Sequence, residues 1–314
     1  MRIGFFGTPP FAVRVLDHLL SWAQGDIAVV VTQPDRPARR GRRMEPPAVK
    51  AQAGHYGLPV VQPEKLDEAA VQSLLEHYRP EALIVAAYGL LLPARLLQEP
   101  AYGALNVHAS LLPQYRGAAP IQRALLNGER VTGVTIMQME PGLDCGPILQ
   151  QRALAIGIDD TAETLHDQLA DMGGELLVDT LERILSDELV PLPQDEERAS
   201  FAPKLRKTEG AIDWNETAWT VHNRIRAVHP WPGGYFYWTR PDTGKRIRIR
   251  VFPGRIGPEK EEATEPGTLL EGEGGKLRIA CQDRLYEVHT LQPESAKPLT
   301  AEGFVRGYLK REPS

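Results

Sequence analysis

Asn106 and His108 stand two residues apart in the segment NVHASLLPQYRGAAP, and Asp144 follows in EPGLDCGP. These three side chains supply what acyl transfer onto an amine requires. An amide NH2 can donate to the oxyanion of a tetrahedral intermediate. An imidazole exchanges protons near neutral pH. A carboxylate can orient that imidazole or relay its proton through water. Two roles stay open for His108: it deprotonates the attacking amine, or in its charged form it helps to hold the oxyanion. No His or Cys lies near His108 at metal-ligand spacing, so no metal is expected.

Such a set must be carried by rigid elements. Asn106 and His108 follow the apolar run Tyr102–Leu105, which predicts a buried strand with both side chains on one face near its end. Ligand sites of open α/β sheets lie at that end. The predicted strands are Arg2–Phe6, Ala28–Thr32, Pro59–Gln62, Ala82–Ala87 and this one, Ala104–His108, with helices at Phe11–Leu20, Ala69–Tyr78 and Pro120–Leu126. Apolar strands alternating with helices predict an α/β domain, a mostly parallel, Rossmann-like sheet covered on both faces. Gly7-Thr8-Pro9-Pro10 follows the first strand with a single glycine and no G-x-G-x-x-G, so a dinucleotide site is not expected.

A longer helix is predicted over Thr161–Leu185, followed by the acidic, proline-containing stretch Leu189–Ala202, which has linker composition. Beyond it come short β-rich runs at Gly234–Trp238, Ile247–Phe252, Lys276–Ala280 and Leu285–His289, preceded by a helix near Ala218–Val228. That spacing predicts a small barrel. The expected organisation is a domain over 1–188, a linker over 189–205 and a smaller β domain over 206–314.

The 314 residues suffice for two domains, and the most apolar stretch, Pro80–Pro93, is too short to span a bilayer. No membrane association is expected. The chain opens directly into a strand-like IGFF, and its two cysteines, Cys145 and Cys281, are far apart; a cytoplasmic protein without disulfides is expected. The net charge of −5 speaks against nucleic acid only on average. Arg36, Arg39, Arg40, Arg42, Arg43 and Lys50 crowd one loop, and from Arg206 onward eighteen basic residues face fifteen acidic ones. Clustered guanidiniums bind phosphates. Arg246, Arg248 and Arg250 alternate with Ile247, Ile249 and Val251, placing the arginines on one strand face, as a phosphate-binding stripe or a solvated surface.

Taken together, these segments resemble the formyltransferase family that uses 10-formyltetrahydrofolate. The family pattern joins an Asn-x-His pair, a Ser-Leu-Leu-Pro-x-x-x-Gly segment and an Asp in a Leu-Asp-x-Gly turn; here these are Asn106, His108, Ser110–Pro113, Gly117 and Leu143–Gly146. GFFGTPPFA, TQPDRPARRGRRM, VAAYGLLLP, RGAAPIQRAL, TGVTIMQM and IRAVHPWPG narrow the resemblance to the branch whose acceptor is the amino group of methionyl-tRNA, and extend it over nearly the whole chain. The resemblance implies that Asn106, His108 and Asp144 are catalytic and that Ser110, Leu111, Leu112 and Pro113 contact the folate. Val85–Leu92 and Gln138–Asp144 would complete that cleft, and Phe11 is a candidate wall for the methionine side chain. It further implies an OB-like C-terminal barrel, and initiator methionyl-tRNA as the partner of the loop arginines Arg36, Arg39, Arg40, Arg42 and Arg43. A monomer is expected. Two other readings stand beside this one. A formyltransferase for a small amine would need neither basic loop nor barrel, and a non-catalytic RNA-binding relic would not need the three polar residues. The chain departs from the pattern at Pro10, where an acidic residue is usual, and at Cys145, where a small residue is usual. Proline suits a first helical turn.

Overall fold

Short aliphatic runs bounded by Gly, Pro and Asp become strands of a seven-stranded sheet in the computed structural model of the chain, which describes residues 1–37 and 44–309. The strands are β1 (Arg2–Gly7), β2 (Asp26–Val31), β3 (Val60–Val61), β4 (Ala82–Ala86), β5 (Ala104–His108), β6 (Val131–Gln138) and β7 (Ile148–Ala155). Their order is β3-β2-β1-β4-β5-β6-β7. The first five pair in parallel, and β6 and β7 join antiparallel. The sheet is therefore mostly parallel, as expected. Every residue of β4 and β5 is buried, because helices cover both faces of such a sheet.

The strands β6 and β7 are not among those expected from the sequence. β7 forms the sheet edge and begins Ile-Leu-Gln-Gln-Arg, with no fully buried residue. An edge strand solvated in this way lacks the apolar run that betrays a central one.

The helix Pro10–Ser21 starts with Pro10 at its first position and buries Phe11, Ala12, Val15, Leu16 and Leu19, a one-sided helical stripe. The long helix Ala162–Leu185 comes close to the sheet at Gly173, where a Cβ would lie 2.7 Å from Val107 Cγ1. Val107 is the residue between Asn106 and His108. A larger side chain at position 173 would push on the strand that carries the site.

The described residues divide into two units: 1–37, 44–120, 131–155 and 166–203 in the first, and 121–130, 156–165 and 204–309 in the second. The second unit contains two four-stranded sheets of antiparallel strands. Ile247, Ile249, Val251, Leu277, Ile279 and Leu291 fill its core with Trp214, Tyr286 and Phe304. Strand content and core fit a small barrel-like domain. The alternation in Arg246–Val251 sends the three apolar side chains inward. Arg248 lies over the ring of Tyr235 at 3.9 Å and Arg246 over that of Tyr237 at 4.7 Å. Among the described residues, no helix is long and apolar enough to cross a membrane.

The helix Ala218–Ala227 is capped by Thr217, whose hydroxyl accepts from Thr220 N–H at 3.2 Å. It buries His222, whose Nε2 donates to Ile158 O at 2.7 Å while Nδ1 lies 3.4 Å from the Tyr286 hydroxyl. Burial pushes the His222 pKa down, and the nearby Arg226 adds to that; the carbonyl of Ile158 and Asp159 oppose it. Above the imidazole's ordinary pKa, about 6.5, folded and unfolded chains both hold the neutral ring and stability is complete. As pH falls through that value, the unfolded chain takes up a proton that the folded chain refuses. The Tm is therefore expected to fall between about pH 7 and pH 5, and His222→Gln to flatten that dependence. An equal slope in the variant would exclude His222 as its source.

Candidate active site

Asn106 and His108 lie near and at the end of β5, on the same face, 8 % and 6 % exposed. The turn between β6 and β7 brings Asp144 to them. Asn106 Nδ2 donates to Asp144 Oδ1 at 3.4 Å. His108 Nδ1 lies 3.8 Å from Asp144 Oδ2, beyond direct hydrogen-bonding distance. The other ring nitrogen is committed: His108 Nε2 contacts the carbonyl oxygen of Tyr115 at 3.0 Å. A carbonyl only accepts, so Nε2 carries the proton and Nδ1 of the neutral ring is a bare acceptor beside the carboxylate. The Gly117 N–H donates to Asp144 Oδ2, the oxygen that faces His108, at 2.8 Å and helps to fix the carboxylate. The alternation of strand side chains thus sets Asn106 and His108 on one face, and the turn adds Asp144.

Two site residues sit in left-handed backbone without being glycine: Tyr115 at φ 63° and Asp144 at φ 49°. Such conformations persist where their surroundings over-determine them, and they cluster at functional sites. Tyr115 was not singled out from the sequence, and Gly117 entered only as part of the family pattern, without a role. Both meet the site through main-chain groups, a carbonyl oxygen and an N–H, which no side-chain type announces.

The Ser110–Pro113 segment is tied down internally. Ser110 Oγ donates to Gln114 O at 2.6 Å, and Thr135 Oγ1 donates to Ser110 O at 2.7 Å. Leu112 is buried, with its N–H on Thr135 Oγ1 at 3.1 Å and its carbonyl accepting from Gln151 Nε2 at 2.8 Å. Leu111 and Pro113 are half-buried. In the two segments expected to complete the cleft, Leu91 is 82 % and Leu143 50 % exposed, apolar surface that serves no core of the unit. Phe11 is buried and meets the His166 ring edge-on at 5.6 Å. The Cys145 thiol faces Pro141 O at 3.8 Å within its own turn.

Of the loop arginines, Arg39, Arg40, Arg42 and Arg43 lie outside the described residues. Arg36 is exposed at the start of a two-strand ribbon, Arg36–Pro37 with Met44–Glu45, and its guanidinium donates to Gln33 Oε1. Below it, Asp35 accepts from Lys50 Nζ at 2.8 and 2.9 Å and from Gln62 at 2.8 Å. Hydrogen bonds from Lys50 and Gln62 hold the Asp35 carboxyl below its usual range. Lys50 therefore braces the loop base. Among the described residues no group of three His, Cys, Asp or Glu is placed to hold a metal ion.

A formyl transferase family profile matches residues 1–181, and a formyl transferase C-terminal domain profile matches 204–309. The methionyl-tRNA formyltransferase of Nitratidesulfovibrio vulgaris (strain DP4) is 50% identical over 312 residues, 99% of this chain and 94% of the relative. That of Heliobacterium modesticaldum is 43% identical over 314 residues, 98% and 97% of the two chains. In fold, the chain is similar to the N-formyltransferase from Helicobacter canadensis solved with folinic acid and dTDP-3-aminofucose, with a TM-score of 0.66 at 18% identity over 95% of this chain and 100% of that one. With half its residues shared along almost its full length, the chain belongs to the methionyl-tRNA formyltransferase family.

Proposed function

We propose that this protein transfers a formyl group from 10-formyltetrahydrofolate to the α-amino group of initiator methionyl-tRNA, giving N-formylmethionyl-tRNA and tetrahydrofolate. It is a cytoplasmic enzyme acting as a monomer. Residues 1–188 do the chemistry, and 206–314 help to bind the tRNA. The observation that carries the chemistry is the arrangement of His108, with Nε2 held by Tyr115 O and Nδ1 facing Asp144 Oδ2.

The neutral amine attacks the formyl carbon, and the carbonyl π electrons move onto oxygen. Asn106 Nδ2 donates to that oxyanion, releasing its long contact to Asp144. The proton leaving the attacking nitrogen passes to His108 Nδ1, directly or through one water, and the neighbouring carboxylate stabilises the imidazolium. Collapse of the intermediate breaks the bond to N10 of the folate, which takes the proton back from Nδ1. Of the two roles open in the sequence, this geometry favours the proton acceptor. The half-buried Leu111 and Pro113, with the exposed Leu91 and Leu143, offer apolar cover for a flat pterin, while Ser110 and Leu112 hold that segment's shape. Arg36, Arg39, Arg40, Arg42 and Arg43 contact phosphates of the acceptor end.

The test is formyl transfer from 10-formyltetrahydrofolate to charged initiator methionyl-tRNA, run beside uncharged tRNA and free methionine. Transfer to the charged tRNA alone is the expected result. Transfer instead to a small amino-sugar nucleotide would overturn the acceptor.

A further inference from the structure

The segment that follows the long helix does more than connect. Leu192 exchanges two backbone hydrogen bonds with Ile148, both 2.8 Å. Gln194 comes next. Its Nε2 donates to Asp144 O at 2.9 Å and to Gly146 O at 2.7 Å. Its Oε1 accepts from Arg116 Nε at 3.0 Å and Nη2 at 2.8 Å. This orientation of the amide is chemically unambiguous. A guanidinium only donates and a carbonyl only accepts, so a flipped amide would lose all four bonds.

Arg116 itself is 4 % exposed, and Glu196 closes on it with Oε2 at 2.9 Å from Nη1 and Oε1 at 2.7 Å from Nη2. Farther along, Ser200 Oγ accepts from Tyr115 N–H at 2.9 Å, and Ser200 O accepts from Arg116 N–H at 2.8 Å. Ala202 pairs with Arg116 and Ala119. Gly117, at φ 121°, leaves room for Ala202 O, which would lie 2.9 Å from a Cβ there. The two strained residues of the site, Tyr115 and Asp144, are therefore each bonded to this one segment.

We infer that Gln194 is a positioning residue for formyl transfer: clamped by Arg116 and Glu196, it holds the Asp144 turn in its left-handed conformation, while Ser200 holds Tyr115, the residue that orients His108. The inference rests on the roles of Asn106, His108 and Asp144 proposed above. Its physical basis is that a small misplacement of a catalytic group is costly even when every group is present. The amide of Gln194 bonds to two main-chain carbonyls of the turn, so it acts on Asp144 through the backbone.

Gln194→Glu separates this role from folding. The variant keeps an acceptor for Arg116 but presents a second acceptor to two carbonyls. The expected result is a fall in kcat of roughly 10- to 100-fold with KM for both substrates within about twofold. Amide exchange at Gly117, whose N–H rests on Asp144, should become faster. In an Asp144→Asn background the same substitution should cost much less in kcat. Wild-type kcat, unchanged Gly117 exchange, or an equal loss in both backgrounds would each overturn the inference. An Asp144→Asn enzyme with full activity would instead refute the catalytic reading, and Gly117 exchange would still decide whether Gln194 holds the turn. Should Gln194→Glu fail to fold, Ser200→Ala, which removes one hydroxyl, is expected to lower kcat without changing KM. Wild-type kinetics in that variant would then overturn the inference.

Discussion

His108→Ala is expected to lower kcat for formyl transfer by roughly 10²- to 10⁴-fold, with folate binding unchanged. The imidazole is almost entirely buried and is fixed by Tyr115 O at Nε2, and it is the proton acceptor proposed for the attacking amine. Asn106→Ala should cost about 10²- to 10³-fold through the oxyanion. The double variant should lose much less than the product of the two factors, because groups acting in one step are not additive. Single-turnover measurement with charged tRNA checks both. A His108→Ala enzyme within tenfold of wild type would remove the proton-transfer role and leave the ring a structural part of the β5 terminus.

Reversing Arg40, Arg42 and Arg43 to Glu together is expected to lower kcat/KM for charged tRNA by roughly 100-fold or more, with folate affinity unchanged. The base of this loop is braced by Asp35, Lys50, Gln62 and Gln33, and Gln33 Nε2 bonds to Tyr88 O at 2.9 Å. In the sequence the substituted positions fall outside the braced residues, so the fold should tolerate them. The dependence of tRNA binding on salt should become shallower by about two to three in log–log slope. Equal loss of folate and tRNA binding would show that the loop supports the folate cleft rather than contacting RNA.

Much of the frame was legible in the sequence because burial leaves a pattern. The fully buried strands β4 and β5 read as apolar runs, and the helix Pro10–Ser21 as a one-sided stripe after a turn. The alternation of Arg246–Val251 gave both the strand and its inward face. β7 stayed hidden, since a solvated edge strand has no such run. Leu189–Ala202 shows the converse: its acidic, proline-containing composition carries no trace of the hydrogen bonds that Gln194, Glu196 and Ser200 make.

By itself the sequence determined the residue types, the two-residue spacing of Asn106 and His108, and the family signature around them. Spacing along a strand fixes which side chains share a face, because the pleat has a period of two. Only the tertiary structure decided which nitrogen of His108 is free, that Asp144 approaches it at 3.8 Å, and that Gln194 holds that aspartate's turn. Those facts depend on backbone carbonyls and amides brought together from distant parts of the chain. Every residue carries the same main-chain groups, so no sequence pattern distinguishes the ones that matter.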